Sequence, residues 1–152
     1  MITTQIQTFS VHGLGVRTRN VDEAQLGTAR IGQLWRDFGD QLSPHMPQGA
    51  TVYAVYHRYA SDANGEYEVL VGTDGWTLVT VCPQLMRLDI GSGQYLVFEA
   101  TGPTPQAVFA AWDEIWRYFA DQHCPHQRAF RTDFERYQPD GQVAIFVSVR
   151  QP

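Results

Sequence analysis

One order of elements occurs twice along this chain, and that duplication restricts its fold more than any other feature. Leu34-Trp35-x-x-Phe38 matches Ala111-Trp112-x-x-Ile115, both inside apolar stripes of helical period. Tyr56-His57-Arg58-Tyr59 matches Phe134-Glu135-Arg136-Tyr137, and a turn glycine follows each, Gly65 and Gly141. The offset is 77 residues in the helix (34 to 111) and 78 in the hairpin (56 to 134), so both elements agree on the register. The organisation is strand–helix–strand–strand, twice. Either unit alone leaves one sheet face bare, so the two are expected to pack around a pseudo-twofold axis. Residues 1–152 then read as one domain, with repeat 1 over about 5–80 and repeat 2 over about 85–150.

Local signals fill in this frame. Residues 5–19 alternate and contain Gly13 and Gly15, a strand pair or a bulged strand. From Asp22 a helical period takes over, with Ile31, Leu34, Trp35, Phe38 and Leu42 as its stripe, and "SPHMPQG" stops it. "TVYAVYHRY" and "EYEVLVGT" are two strands joined through Asn64-Gly65. "QYLVFEA" is a strand, and "TGPTPQ" leads into a helix with Thr104 as N-cap and Pro105 in its first turn. Val108, Trp112, Ile115 and Phe119 form its stripe, widened by Phe109 and Trp116. "DFERY" and "QVAIFVSV" close the set.

Composition excludes several function classes. Hydrophobic residues make up 43% and charged residues 18%, as in ordinary globular proteins. The formal net charge is −5 with scattered basic residues, so direct binding of nucleic acid is not expected. No apolar run approaches the roughly 20 residues of a membrane span. "MITTQIQTFSVHGLG" lacks the features of a secretory signal, and Cys82 and Cys124 give no disulfide framework, so a cytoplasmic location is expected. "HCPH" offers His123, Cys124 and His126 but no second ligand cluster for zinc. "GSGQ" lacks the Lys and Ser/Thr of a phosphate loop, and no serine elbow or Cys-His pair is evident. No cofactor is expected.

The stretches "VYAVYHRYASDANGEYEVLVG", "QYLVFEATGPTPQAVFAAWDEIWRYF" and "DFERYQPDGQVAIFVSV" resemble the GyrI-like effector-binding domain, over about residues 5–150. That domain is the sensory half of AraC-type and MerR-type multidrug regulators of the Rob and BmrR kind. It also occurs free-standing, including on integron gene cassettes, and this chain resembles those members most. The resemblance implies an α+β fold of duplicated βαββ units, with helices on one face of curved antiparallel sheets and a ligand channel on the other. It also implies that a glutamate at Glu135 lies at the floor of an aromatic pocket for cationic, lipophilic ligands. The sequence carries no helix-turn-helix segment, so direct transcriptional control is not expected.

Periodicity alone leaves Glu135 open to two readings, an edge-strand acid shown to water or a pocket acid; the resemblance favours the pocket. Strand alternation puts Asp133, Glu135 and Tyr137 on one face. The repeat alignment places His57 and Tyr59 on the equivalent face, with Tyr53 upstream, and the helices on the opposite side. The expected ligand-binding residues are Glu135 as charge partner and Tyr137, Tyr59 and Tyr53 as aromatic wall. Trp112, Trp116 and Phe146 are further candidate walls. His57 is open to a structural role, and Glu99 to a place at an exposed strand end. The expected function is non-catalytic binding of hydrophobic cations, as sequestrant or as a sensor acting through a separate DNA-binding or target protein. A hydrolase of the GyrI-like type, with Glu135 and Tyr137 as base and acid, and a gyrase-inhibitor-like interaction module are the alternatives.

Overall fold

The computed structural model describes residues 1–74 and 85–151. Cys82 and most of "DGWTLVTVCP" lie outside the described residues. The strands are β1 (Ile2–Ile6), β2 (Phe9–Thr18), β3 (Val52–His57), β4 (Tyr67–Thr73), β5 (Met86–Ile90), β6 (Gly93–Ala100), β7 (Thr132–Tyr137) and β8 (Val143–Ser148). The helices are α1 (Asn20–Glu23), α2 (Ile31–Gln41) and α3 (Gln106–Ala120). All eight strands join one antiparallel sheet in the order β1-β6-β8-β7-β3-β4-β2-β5. That order reads as a palindrome about the β7–β3 junction, which is the pseudo-twofold expected from the repeat. β2-α2-β3-β4 and β6-α3-β7-β8 are its two halves. The edge strands are exchanged: β1 pairs with β6 and β5 with β2. Each half therefore needs the other to complete its sheet.

Two helix starts differ from the sequence pattern. The helical period from Asp22 is interrupted after α1 and resumes at Ile31. Glu23 explains the restart, because its carboxylate accepts the N–H groups of Arg30 at 2.8 Å and Ile31 at 2.9 Å. These donors have no partner within the helix, so a side chain from α1 caps α2. α3 begins at Gln106 with Pro105 as its N-cap and no side-chain hydrogen bond there, so Thr104 is not the cap.

The sheet has two faces with different fates. α2 lays Leu34, Phe38 and the following Leu42 over Ala54, Tyr67, Val69 and Val71. α3 lays Val108, Ala111 and Ile115 over Leu96, Phe98, Ile145 and Val147. The opposite face closes on itself. Phe134 on β7 touches Phe9 on β2 with ring centroids 5.6 Å apart and Tyr95 on β6 at 5.5 Å, and it stacks on Phe146 at 4.5 Å. β2 lies three strands from β7, about 14 Å away in a flat sheet, so the sheet curls until these side chains meet. The surface expected to carry the ligand channel is filled by this aromatic core.

The curl requires close backbone approach where β2 crosses from β4 to β5. Gly13 and Gly72 face each other there. A Cβ on Gly72 would lie 1.9 Å from the His12 carbonyl oxygen, and one on Gly13 would lie 2.1 Å from that of Val71. Neither backbone atom can move aside without breaking the ladder. Gly72→Ala should destabilise the protein by at least about 3 kcal/mol, the upper end of overpacking costs. Gly39→Ala, in α2 with open space around it, should stabilise by about 0.5–1 kcal/mol. Urea denaturation of both variants tests this, and equal midpoints would refute the close-approach account.

Candidate functional site

β7 places two carboxylates under the helices. Asp133 and Glu135 alternate with Phe134, so both point to the helix-covered face, where they are 0% and 2% exposed. Burying a carboxylate is costly unless charge or hydrogen bonds compensate it. Asp133 is compensated by charge. Its Oδ2 accepts Arg128 Nη2 at 2.6 Å and the Tyr59 hydroxyl at 2.5 Å. Its Oδ1 accepts the Ser148 N–H at 2.8 Å and the Ser148 hydroxyl at 3.2 Å.

Glu135 is held differently. It accepts the Tyr137 hydroxyl at 2.5 Å, the Trp112 indole N–H at 2.7 Å and the Tyr56 hydroxyl at 2.8 Å. All three donors are neutral, and Glu135 forms no ion pair among the described residues. Burial raises its pKa above the usual carboxylate value, and the three hydrogen bonds offset that rise only in part. Burial also lifts the Tyr56, Tyr59, Tyr67 and Tyr137 hydroxyls above the usual phenol range, so they stay protonated as donors.

Above these acids lies a cavity of about 350 Å³ between α3 and the α1–α2 segment. Tyr56, Tyr59 and Tyr67 form its floor from the sheet. Phe109, Trp112 and Trp116 form one wall from α3. They recur at spacings of three and four, a second stripe beside the Val108, Ala111 and Ile115 stripe that grips the sheet. One helix thus packs with one stripe and lines the cavity with the next. The rings contact one another, Tyr56 with Trp112 at 5.5 Å, Tyr59 with Tyr67 at 5.9 Å and Trp112 with Trp116 at 6.5 Å. Asn20, Glu23, Asp113 and Arg128 are the polar rim. Glu135 does not itself border the cavity; it lies behind Tyr56 and Trp112, which do.

The structure brings together Glu135, Tyr137, Tyr59, Trp112 and Trp116 on the helix-covered face. It separates Tyr53, His57, Phe146 and Glu99 from them. Cα pairing of β3 with β7 sets Ala54 opposite Glu135 and Tyr56 opposite Asp133. Paired residues share a face, so Tyr53 and His57 point the other way. Tyr53 and Phe146 belong to the closed aromatic core, and Glu99 is exposed on β6. His57 is buried beside Glu68 at 3.8 Å, and burial lowers its pKa. The hairpin offset of 78 caused this misplacement. Helix-facing residues are even-numbered in β3 and odd-numbered in β7, so an odd offset is needed. Tyr59 reaches the helix face because Arg58 adopts φ +51°, which breaks the alternation at the strand end. The residues missed by the sequence pattern are Tyr56, Tyr67, Asn20, Glu23, Asp113, Arg128 and Phe109. An odd offset would have found Tyr56. Arg128 lies between α3 and β7, where no periodicity marks it.

Among the described residues no cluster of three potential metal ligands occurs, and no helix is long and apolar enough to cross a membrane.

The family model described as "Integron-associated effector binding protein" matches residues 3–149. The chain belongs to that family. A solved integron cassette protein from the mobile metagenome of Vibrio cholerae, VCH_CASS2, is 38% identical with a TM-score of 0.91, over 98% of this chain and 95% of that one. YobU of Bacillus subtilis (strain 168), named provisionally as a transcriptional regulator, is 29% identical over 149 residues, 91% of each chain. SAV2435, solved bound to tetraphenylphosphonium, shares the fold at a TM-score of 0.74 and 19% identity, over 98% of this chain and 93% of that one. Membership in an effector-binding family agrees with the resemblance carried by the hairpins and the tryptophan-bearing helix, and so does the α+β fold.

The raised pKa of Glu135 has a consequence for stability. Between its ordinary value of 4.5 and its folded value, the native state holds a proton that the unfolded state has lost. Stability from this residue therefore falls as pH rises through that window. Glu135→Gln should flatten the fall, so the variant gains on the wild type as pH rises from 4.5 through the folded pKa of Glu135. Urea midpoints across that range check it; parallel curves would mean that Glu135 is ionised without cost.

Proposed function

We propose that the cavity between α3 and the α1–α2 segment binds lipophilic organic cations without turning them over. The observation that carries this reading is Glu135, a buried carboxylate whose donors are all neutral, set behind an aromatic cage. A bound cation supplies the charge that the fold leaves out, and each ring face adds cation–π attraction of about 0.5–2 kcal/mol. Glu23 and Asp113 on the rim add to the negative potential at the mouth. The binding of tetraphenylphosphonium by SAV2435, which has the same fold, supports this ligand class. On this reading residues 1–152 act as one effector-binding unit, as a sequestrant or as a sensor working through a partner chain.

Glu135→Gln keeps the shape of the site and removes the charge. Affinity for tetraphenylphosphonium should fall by about 1.5–3 kcal/mol, while the neutral triphenylphosphine oxide should be little affected. Isothermal calorimetry measures both, and equal losses for the two compounds would sink the charge-partner role.

Binding should also expel a proton. A cation stabilises the ionised carboxylate, so affinity rises with pH up to the pKa of the empty site and levels off above it. Calorimetry between pH 5 and 7 in two buffers of different ionisation enthalpy detects the release. An affinity independent of pH and buffer would show that Glu135 is already ionised in the empty cavity.

A further inference from the structure

A second cavity, of about 570 Å³, opens where β1 ends, β6 begins and the chain leaves β8. It shares no lining residue with the first. Its lining is mostly polar. Gln5, Ser92, Gln94, Arg131, Arg150 and Gln151 contribute, and no carboxylate among the described residues does. Strand pairing sets Gln5 opposite Gln94, so their amides share a face.

The arginines of this chain single that cavity out. The 11 basic residues are all arginine, and most meet a partner within the fold. Five of them, Arg128 included, pair with carboxylates. Two donate to backbone carbonyls, one to an amide oxygen, and one lies over the Phe146 ring. The remaining two are Arg131 and Arg150, whose guanidiniums form no hydrogen bond or ion pair among the described residues. Both are exposed, and both line the second cavity. Two unmatched cations thus converge on one concavity of a chain whose net charge is −5. Like charges held there repel, and an anion between them removes that repulsion. Gly93 positions one of the pair. Its missing side chain leaves room for Arg131, whose Nη2 lies 2.9 Å from where a Cβ would stand.

Two guanidiniums neutralise too few phosphates to hold a nucleic acid against that net charge. They suit a compact ligand, because each planar fork grips the paired oxygens of a phosphate or a carboxylate. The amides of Gln5, Gln94 and Gln151 add neutral donors around them. We propose that this cavity is a second binding site, for small multivalent oxyanions that bear phosphate or carboxylate groups. It stands apart from the cation-binding reading. The segment before β7 gives Arg128 to the first cavity and Arg131 to the second, so one chain carries sites of opposite preference.

The test titrates pyrophosphate and tricarballylate into the full chain by calorimetry at constant ionic strength. At least one should bind at one site per chain with a Kd below about 1 mM, and the tighter of the two identifies the ligand group as phosphate or carboxylate. Arg131→Gln and Arg150→Gln should each weaken that binding about tenfold. Gly93→Ala keeps every charge but displaces the Arg131 guanidinium, so it should weaken binding by about threefold or more, which diffuse attraction would not do. Arg36→Gln removes an equal charge on α2, away from the cavity, and should leave the affinity unchanged. Absence of binding by both anions would overturn the proposal. So would affinities untouched by Arg131→Gln and Arg150→Gln, or a loss in Arg36→Gln equal to theirs.

Discussion

Two carboxylates two residues apart on one strand are both withdrawn from water, and only one has a counter-ion. Asp133 spends its lone pairs on Arg128, Tyr59 and Ser148, tying the chain before β7 to β8 and to the segment after β3. It behaves as a structural joint. Glu135, with neutral donors alone, is an imbalance that the rest of the fold must support. Its three donors come from α3, β3 and β7 itself, so the helix, both central strands and the pseudo-twofold junction converge on one side chain. Removing one partner of a satisfied buried pair strands a charge, whereas adding a cation beside Glu135 relieves one.

The palindromic sheet order places that junction at β3 and β7, yet the two halves have diverged around it. Trp112 in the second half donates to Glu135 and borders the cavity. Its match in the first half, Trp35, packs instead against Tyr137 at 5.2 Å and Phe38 at 6.1 Å. The residue opposite Glu135 on β3 is Ala54, which has no charge to balance. Duplication supplied a symmetric frame, and the acid on β7 with Trp112 turned toward it made the frame asymmetric, with a cavity lined from both halves.

The frame was legible in the sequence because it rests on periodicities that recur at two places: helix stripes, the hairpins and their turn glycines. The choice of face was not, because a strand reverses its faces with a shift of one residue. Matching Tyr56 to Phe134 satisfied the eye through shared aromatic character, while Tyr56 lies on the face of Glu135 and Phe134 on the other. The left-handed residue Arg58 then hid the true placement of Tyr59, since no pattern announces a backbone φ of +51° at an arginine. Curling of the sheet was equally silent. It depends on Gly13 meeting Gly72 across strands, and it turned the expected ligand face into a core around Phe134. Periodicity left Glu135 open between an edge-strand acid and a pocket acid, and only the resemblance favoured the pocket. A pattern of alternation does not say which face a helix will cover; the structure buries Glu135 behind the cavity wall.

The position of Glu135 behind the cavity wall bears on how selective such a site can be. A direct ion pair or hydrogen bond fixes the ligand atom in distance and angle, and so rejects ligands of the wrong outline. A carboxylate screened by Tyr56 and Trp112 makes no such geometric demand. At an effective dielectric of about 20, a unit charge about 7 Å away is attracted by roughly 2 kcal/mol, against about 4 kcal/mol at about 4 Å. Half the attraction is given up, and with it nearly all the directional constraint. The rings that separate ligand from acid are themselves indifferent to outline, since any flat or rounded apolar surface can lie against them. On the proposed reading, charge is then read at a distance and shape only loosely, which suits a cavity that accepts many cations better than one tuned to a single compound.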